Sequence, residues 1–186
     1  MDEGVAAEAR VRDIFDDVVA RGFRAEAVQG ASDGEIDTWA AAQGVHMVPA
    51  ALREILRIIG KPRRKTPTGW LASSAFGVDS IDARDKEFAG WCVEEADERG
   101  IEHGMRDPEG MLVVAGDGTS ASFLVIDGSA LVEPDPPIWL LTESGAIRRT
   151  SESTTAWFAK TGEELMNRTR QHARRDQAYY DSLFRR

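Results

Sequence analysis

The stretch SDGEIDTWAAAQGVHMVPAALREILRIIG, residues 32–60, carries the strongest secondary-structure signals in the chain. Ser32 and Glu35 have the spacing of a capping box, in which each side chain satisfies a free backbone N–H at the start of a helix. Apolar residues then follow at helical spacing: Ile36, Trp39 and Ala40. Because Gly44 interrupts this pattern, the stretch predicts a short first helix that ends before it.

The same stretch predicts a second helix after a short linker. Pro49 suits the first turn of that helix, because its missing N–H would have no helical partner there. Four large apolar residues then recur at positions i, i+3, i+4 and i+7: Leu52, Ile55, Leu56 and Ile59. Gly60 is expected to adopt a left-handed cap, and Pro62 prevents continuation. Residues 32–60 therefore form a helical hairpin with one buried side.

Two further helices are predicted in the first half of the chain. An N-terminal helix has an apolar stripe that ends before Gly22: Val11, Ile14, Phe15, Val18 and Val19. A later helix begins at Ser80 or Asp82 and runs toward Arg99, with Phe88, Cys92 and Ala96 on its apolar side. Its other side is acidic: Asp85, Glu87, Glu94, Glu95, Asp97 and Glu98. That side is either a solvated face or a surface for a partner.

From residue 111 the pattern changes to short apolar or β-branched runs separated by turn residues. Four strands are predicted, at residues 111–115, 122–126, 138–142 and 146–150, and their short connections indicate an antiparallel meander. Ser153 is placed to cap a closing helix. The expected fold class is α+β, with an antiparallel sheet from the second half packed against N-terminal, insert and C-terminal helices.

These parts together resemble the SUKH superfamily. The hairpin has a central Trp and a second helix of the form Pro-x-x-Leu-x-x-Ile-Leu closing on Gly, and the second half supplies MLVVAGDGTSASFLVID, DPPIWLLTE and SESTTAWFAKTGEEL in the family's order. The resemblance covers roughly residues 30–165. It implies one SUKH-like domain over residues 1–166, in which the family's small loop is expanded into an acidic helical insert at about 70–107. Residues 167–186 are an arginine-rich helix or tail outside it.

Composition restricts the function classes. The chain has 186 residues, a formal net charge of -9 and a single cysteine, Cys92, which excludes an internal disulfide and favours burial as a small hydrophobe. No run approaches the roughly 20 apolar residues of a membrane span, and the N-terminus is acidic. We expect a cytoplasmic protein with no membrane contact and no cofactor.

The charge is unevenly distributed. Residues 70–166 contain nineteen acidic and seven basic residues, whereas the tail and the loop from Lys61 to Lys65 are basic. That loop is either solvated or a phosphate-binding patch. An acidic body repels nucleic acid and speeds encounter with a basic protein, so no direct binding of nucleic acid is expected.

No residue pattern identifies a catalytic site. The three histidines, His46, His103 and His172, lack the spacing of metal ligands. Cys92 and His103 are a conceivable nucleophile and base, but the mid-helix position of Cys92 favours packing. The sequence around Gly116 superficially resembles a phosphate loop, yet no Lys follows it and a strand comes next, which favours a hairpin turn.

What the resemblance implies is a non-catalytic immunity protein that binds and neutralises a cognate bacterial toxin through its acidic surface, with nucleases among the candidate toxins. A nuclease groove is basic because it holds phosphate, so carboxylates can imitate its substrate. The candidate partner-binding residues are Trp70, Asp79, Asp82, Asp85, Glu94, Glu95 and Asp135. Trp70 either covers the edge of the core or anchors a partner. The alternatives are a regulatory scaffold that binds proteins without inhibiting a toxin, and a small hydrolase or nucleotide-binding enzyme.

Overall fold

The computed structural model describes residues 2–61, 70–71, 74–117 and 122–172. Within them, the helices are α1 (Glu3–Ala20), α2 (Asp33–Ala42), α3 (Ala50–Ile59), α4 (Ala83–Glu98) and α5 (Thr154–His172). The strands are β1 (Ala75–Phe76), β2 (Leu112–Asp117), β3 (Ser122–Ile126), β4 (Ile138–Thr142) and β5 (Ile147–Ser151). The predicted α+β class is confirmed. Apart from Lys61, the basic loop lies outside the described residues, as does the end of the arginine-rich tail, and α5 itself continues beyond residue 166.

Helices α2 and α3 form the predicted hairpin. The Ser32 hydroxyl accepts from the Glu35 N–H at 3.4 Å, and the Glu35 carboxylate accepts from the Ser32 N–H at 2.9 Å. Both apolar stripes are buried as expected. The prediction of a left-handed cap at Gly60 is wrong, because its φ is -70°. Its N–H still bonds to the Leu56 carbonyl at 2.8 Å, and α3 ends because the next N–H, of Lys61, turns to the carbonyl of Gln29.

The sheet is an antiparallel meander in the order β1-β2-β3-β4-β5. Its last four strands are those predicted, shifted by at most two residues at their ends. Strand β1 was not predicted, because two residues are too few to show an alternating pattern. It pairs Ala75 with Gly116 and Phe76 with Ala115.

The two faces of the sheet are covered by different helices. Phe123 and Leu141 are cross-strand partners and therefore share a face, and α4 contacts the strands β2, β3 and β4. Phe123 also pairs with Gly116 of β2, whereas Phe76 of β1 pairs with the neighbouring residue, Ala115. Because adjacent positions along a strand point to opposite faces of the sheet, Phe76 belongs to the other face. Its ring lies 5.9 Å from that of Trp157 in α5. Helices α1 and α3 pack on α5, and among the described helices it is α4 that covers the opposite face of the sheet.

Gln43 attaches the hairpin to the sheet. Its side-chain amide, which is buried, accepts from the Val113 N–H at 2.9 Å and donates to the Val113 carbonyl at 3.3 Å. Its own backbone carbonyl accepts from the Lys86 ammonium at 2.7 Å. One residue therefore ties the end of α2 both to β2 and to the first turns of α4. This fixes the position of α4 on the sheet.

An ion-pair network joins the helices of the other layer. Glu54 of α3 is 5% exposed and accepts from the guanidinium groups of Arg12 at 2.7 Å and Arg57 at 3.1 Å. Burial raises the pKa of Glu54, but the hydrogen bonds from the two arginines outweigh it and hold the pKa below its ordinary value. Arg57 also donates to Asp33, so α1, α2 and α3 are linked through charge.

Candidate partner-binding surface

Helix α4 presents the surface of interest. It begins with a capping box in which the Asp82 carboxylate accepts from the N–H groups of Arg84 and Asp85, and the Asp85 carboxylate accepts from the Asp82 N–H at 2.8 Å. It ends before Gly100, whose φ of 67° reverses the chain. Its buried side consists of small and medium residues: Ala89, Cys92, Val93 and Ala96. Such residues allow the helix to lie close to the sheet.

Two large aromatic side chains of α4 point outward. Phe88 is 48% exposed and Trp91 is 51% exposed. Their rings meet edge to face with centroids 4.9 Å apart, an arrangement that aromatic pairs favour. The prediction that Phe88 belongs to the buried stripe is wrong, because the sheet covers the smaller residues one position further round the helix. Exposed aromatic residues of this size are typical of protein-binding surfaces.

Beside this pair lies an open cavity of about 300 Å³ between α4 and the end of the sheet. It is lined by Phe88, Trp91, Cys92, Glu95, Phe123 and Glu143. Cys92 and Phe123 are buried and form the inner wall, whereas the two carboxylates are the polar groups of the lining. Burial raises the pKa of the Cys92 thiol, and the negative charge of Glu143 raises it further, so the thiol is a neutral, apolar part of this wall.

The charges around the cavity are mainly negative. Glu87, Glu94, Asp97 and Glu98 are exposed along α4. Of the cations of α4, Arg84 is exposed one turn before Phe88, whereas Lys86 points inward to the carbonyl of Gln43, and burial lowers the pKa of Lys86. Arg99 pairs with Glu95 at 2.6 Å and donates to the Ser144 carbonyl at 2.7 Å, which attaches the end of α4 to the turn between β4 and β5.

The predicted acidic residues have different environments. Asp79 and Glu94 are exposed, and Glu95 lines the cavity. Asp82 and Asp85 remain at the surface, but their carboxylates are engaged in the capping box of α4. These five residues lie on α4 or just before it.

Two predicted residues are placed elsewhere. Trp70 is 2% exposed, with its ring stacked between Phe15 at 5.7 Å and Phe158 at 4.8 Å, and its indole N–H donates to the Thr161 hydroxyl. It covers the core, and the prediction that it anchors a partner is wrong. The carboxylate of Asp135 accepts from the N–H and hydroxyl of Thr155 at the start of α5, with 14% of its side chain exposed. Its assignment to the partner-binding surface is also wrong, because its side chain is largely covered at the start of α5 and does not lie on or just before α4 with the other five residues.

Trp91 is the residue that sequence reasoning missed. A signal for it was present: Trp91 follows Phe88 by three positions, so the two aromatic residues share one side of the helix. The small residues of α4 form a separate stripe at helical spacing. A helix with one stripe of small residues and one of large aromatics can bury the first and expose the second.

Among the described residues, no group of three or more His, Cys, Asp or Glu side chains is placed to hold a metal ion. His103 has its Nε2 atom 3.3 Å from a carboxylate oxygen of Asp97, and His46 is exposed. The described helices include none that is long and apolar enough to cross a bilayer. No protein-family model matches the chain, and no curated protein matches it.

Proposed function

We propose that this chain is a cytoplasmic, non-catalytic immunity protein that binds a basic bacterial toxin through α4. The observation that supports a binding role most directly is the exposed Phe88–Trp91 pair within an acidic helix. Aromatic anchors surrounded by charge combine apolar burial with electrostatic attraction, and interfaces commonly have an apolar, aromatic centre within a polar rim. The choice of a toxin as the partner rests on the SUKH resemblance described above.

The charge distribution supports a basic partner. A cluster of carboxylates attracts a protein whose own surface is positive, and this attraction acts mainly on the association rate. A nuclease has such a surface because it must hold phosphate groups. The carboxylates of α4 would then occupy positions that the nucleic-acid backbone takes in the substrate complex.

The experiment is co-expression with the product of the neighbouring gene, followed by co-purification and a growth-rescue assay. We expect a complex that survives purification at low salt, weakens as salt is raised, and protects cells from the toxic effect of the partner. Reversal of three exposed charges on α4 (Glu87→Lys, Glu94→Lys and Glu98→Lys) should abolish rescue. A matched reversal at exposed acidic residues of α1 (Glu3→Lys, Asp13→Lys and Asp16→Lys) should leave it intact.

The outcome separates the alternatives. A stable complex without growth rescue supports the regulatory scaffold instead. Equal rescue by the wild type and the α4 reversal would contradict the assignment of the surface. No association with any neighbouring-gene product would contradict the immunity function itself.

A further inference from the structure

The cavity beside the aromatic pair has the dimensions and chemistry of a subsite for one side chain. Its volume of about 300 Å³ lies at the lower limit of ligand pockets, which hold whole small molecules at roughly 300–1,000 Å³. Four of its six lining residues are apolar or aromatic, and the other two are carboxylates. An occupant that matches it has a long apolar stem and a positively charged end.

The charge balance favours a cation. Glu95 already pairs with Arg99, whereas no basic group in the described part of the chain pairs with Glu143. Arg84 is exposed on α4 but does not line the cavity, so the two lining carboxylates and the guanidinium of Arg99 leave one negative charge in excess at the cavity itself. An anionic occupant would be repelled, and an uncharged apolar one would remove water from Glu143 without replacing its hydrogen bonds.

The aromatic wall favours arginine over lysine. A guanidinium is planar, stacks on aromatic rings and matches a carboxylate with two parallel N–H groups, whereas an ammonium is a compact, strongly hydrated charge. Trp is the best aromatic partner for a cation, and Trp91 is half exposed beside the carboxylates. The methylene groups of an arginine can cover Phe88 and the inner wall.

We propose that this cavity receives an arginine side chain of the partner protein, with the guanidinium between Trp91 and Glu143. This inference rests on the proposed function for the identity of the partner, but its chemistry can be tested without the partner. Arg99 then holds Glu95 and the turn after β4 in place, so that the mouth of the cavity keeps its shape.

The first test uses N-acetyl-arginine methylamide as the probe and N-acetyl-citrulline methylamide, its neutral isostere, as the control. Binding is followed by NMR through the indole N–H resonance of Trp91, which is assigned by its absence in the Trp91→Phe variant. The arginine probe should shift this resonance in a saturable way, with an affinity about 3- to 10-fold above that of the citrulline probe. Equal shifts with both probes, or none with either, would overturn the proposal.

The second test uses the neighbouring-gene product and two exposed positions, with far-UV circular dichroism confirming that each variant folds. Glu143→Gln and Trp91→Ala should each weaken the complex at least 10-fold. Glu164→Gln, an exposed carboxylate of α5, and Val132→Ala, an exposed apolar residue, should change the affinity less than 2-fold.

Failure of this inference differs from failure of the proposed function. If the complex forms but is insensitive to both cavity variants, the arginine subsite and the aromatic pair as its anchor are refuted, whereas binding of a toxin is not. If no complex forms, the immunity function is refuted, and the arginine and citrulline probes still decide the subsite. Concentration-dependent dimerisation that Trp91→Ala abolishes would identify a second copy of this chain as the occupant and overturn the proposal.

Discussion

A matched pair of tryptophan substitutions tests the division between core and binding surface. Trp70→Ala removes a ring that is 2% exposed and stacked between Phe15 and Phe158. Replacing a buried Trp by Ala costs about 3–5 kcal/mol in the free energy of unfolding, and we expect about 4 because the indole hydrogen bond to Thr161 is lost as well. For a chain of this length, that is a fall of about 8–16 °C in Tm.

Trp91→Ala removes the same side chain from a half-exposed position. Its loss combines the half of its apolar surface that is buried with the edge-to-face contact to Phe88, together about 2 kcal/mol. We expect its Tm to fall by about 4–8 °C. The difference between the two variants, about 2 kcal/mol, is therefore the measurable consequence of where the two residues lie.

The assay is urea denaturation followed by far-UV circular dichroism, because tryptophan fluorescence is itself altered by both substitutions. The effects on binding to the toxin should have the reverse order of the effects on stability. At temperatures where it is folded, Trp70→Ala should bind the toxin with normal affinity, whereas Trp91→Ala should bind it more weakly. Equal destabilisation by both variants, within 1 kcal/mol, would refute the assignment of Trp70 to the core and Trp91 to the surface.

Three further predictions concern the contacts that hold the helices of the fold in place. Glu54→Gln should lower the free energy of unfolding by about 1–3 kcal/mol at pH 7, because it removes the charge that Arg12 and Arg57 share; a loss below 0.5 kcal/mol by urea titration would contradict this. Gln43→Ala should lower the free energy of unfolding by about 1–3 kcal/mol and speed hydrogen exchange of the Val113 amide, because that N–H loses its acceptor. An unchanged exchange rate at Val113 would contradict the role given to Gln43. Hydrogen bonds from Lys61 and Ser32 lower the pKa of Glu35 from its ordinary 4.5 to about 2, so its stabilising effect is complete above about pH 4.5 and is lost as the pH falls toward 2. The difference in Tm between the wild type and Glu35→Gln should accordingly be present at pH 7 and disappear near pH 2.

The parts of the fold that sequence predicted are those with strong local signals. The capping box at Ser32, the apolar stripe of α3 and the last four strands all depend on residues a few positions apart. Strand β1 exists only because β2 offers Ala115 and Gly116 as partners, so no local pattern could reveal it.

The candidate site was predictable only in part, because exposure is decided by distant elements. The acidic side of α4 follows from its sequence, but whether Phe88 or Ala89 faces the sheet depends on which stripe packs closest to the strands. The position of Trp70 depends on α1 and α5, which lie 55 residues before and 88 residues after it along the chain at Phe15 and Phe158. Tertiary packing of this kind leaves no signal near the residue itself.

The side-chain amide of Gln43 has a consequence for solubility. Strand β1 covers only Ala115 and Gly116 of β2, and Gln43 satisfies both backbone groups of Val113 just beyond it, in the manner of one more strand residue. Unpaired groups on an outer strand are templates on which further chains assemble into aggregates. The side chain of Gln43 thus extends the part of β2 that is protected from further strand pairing by one residue. At the opposite edge of the sheet, β5 carries Arg148 and Arg149, whose charges repel an incoming strand. The edge of the sheet at β1 and β2 can therefore remain free of unwanted strand pairing while Phe88 and Trp91 of α4 stay open to a partner.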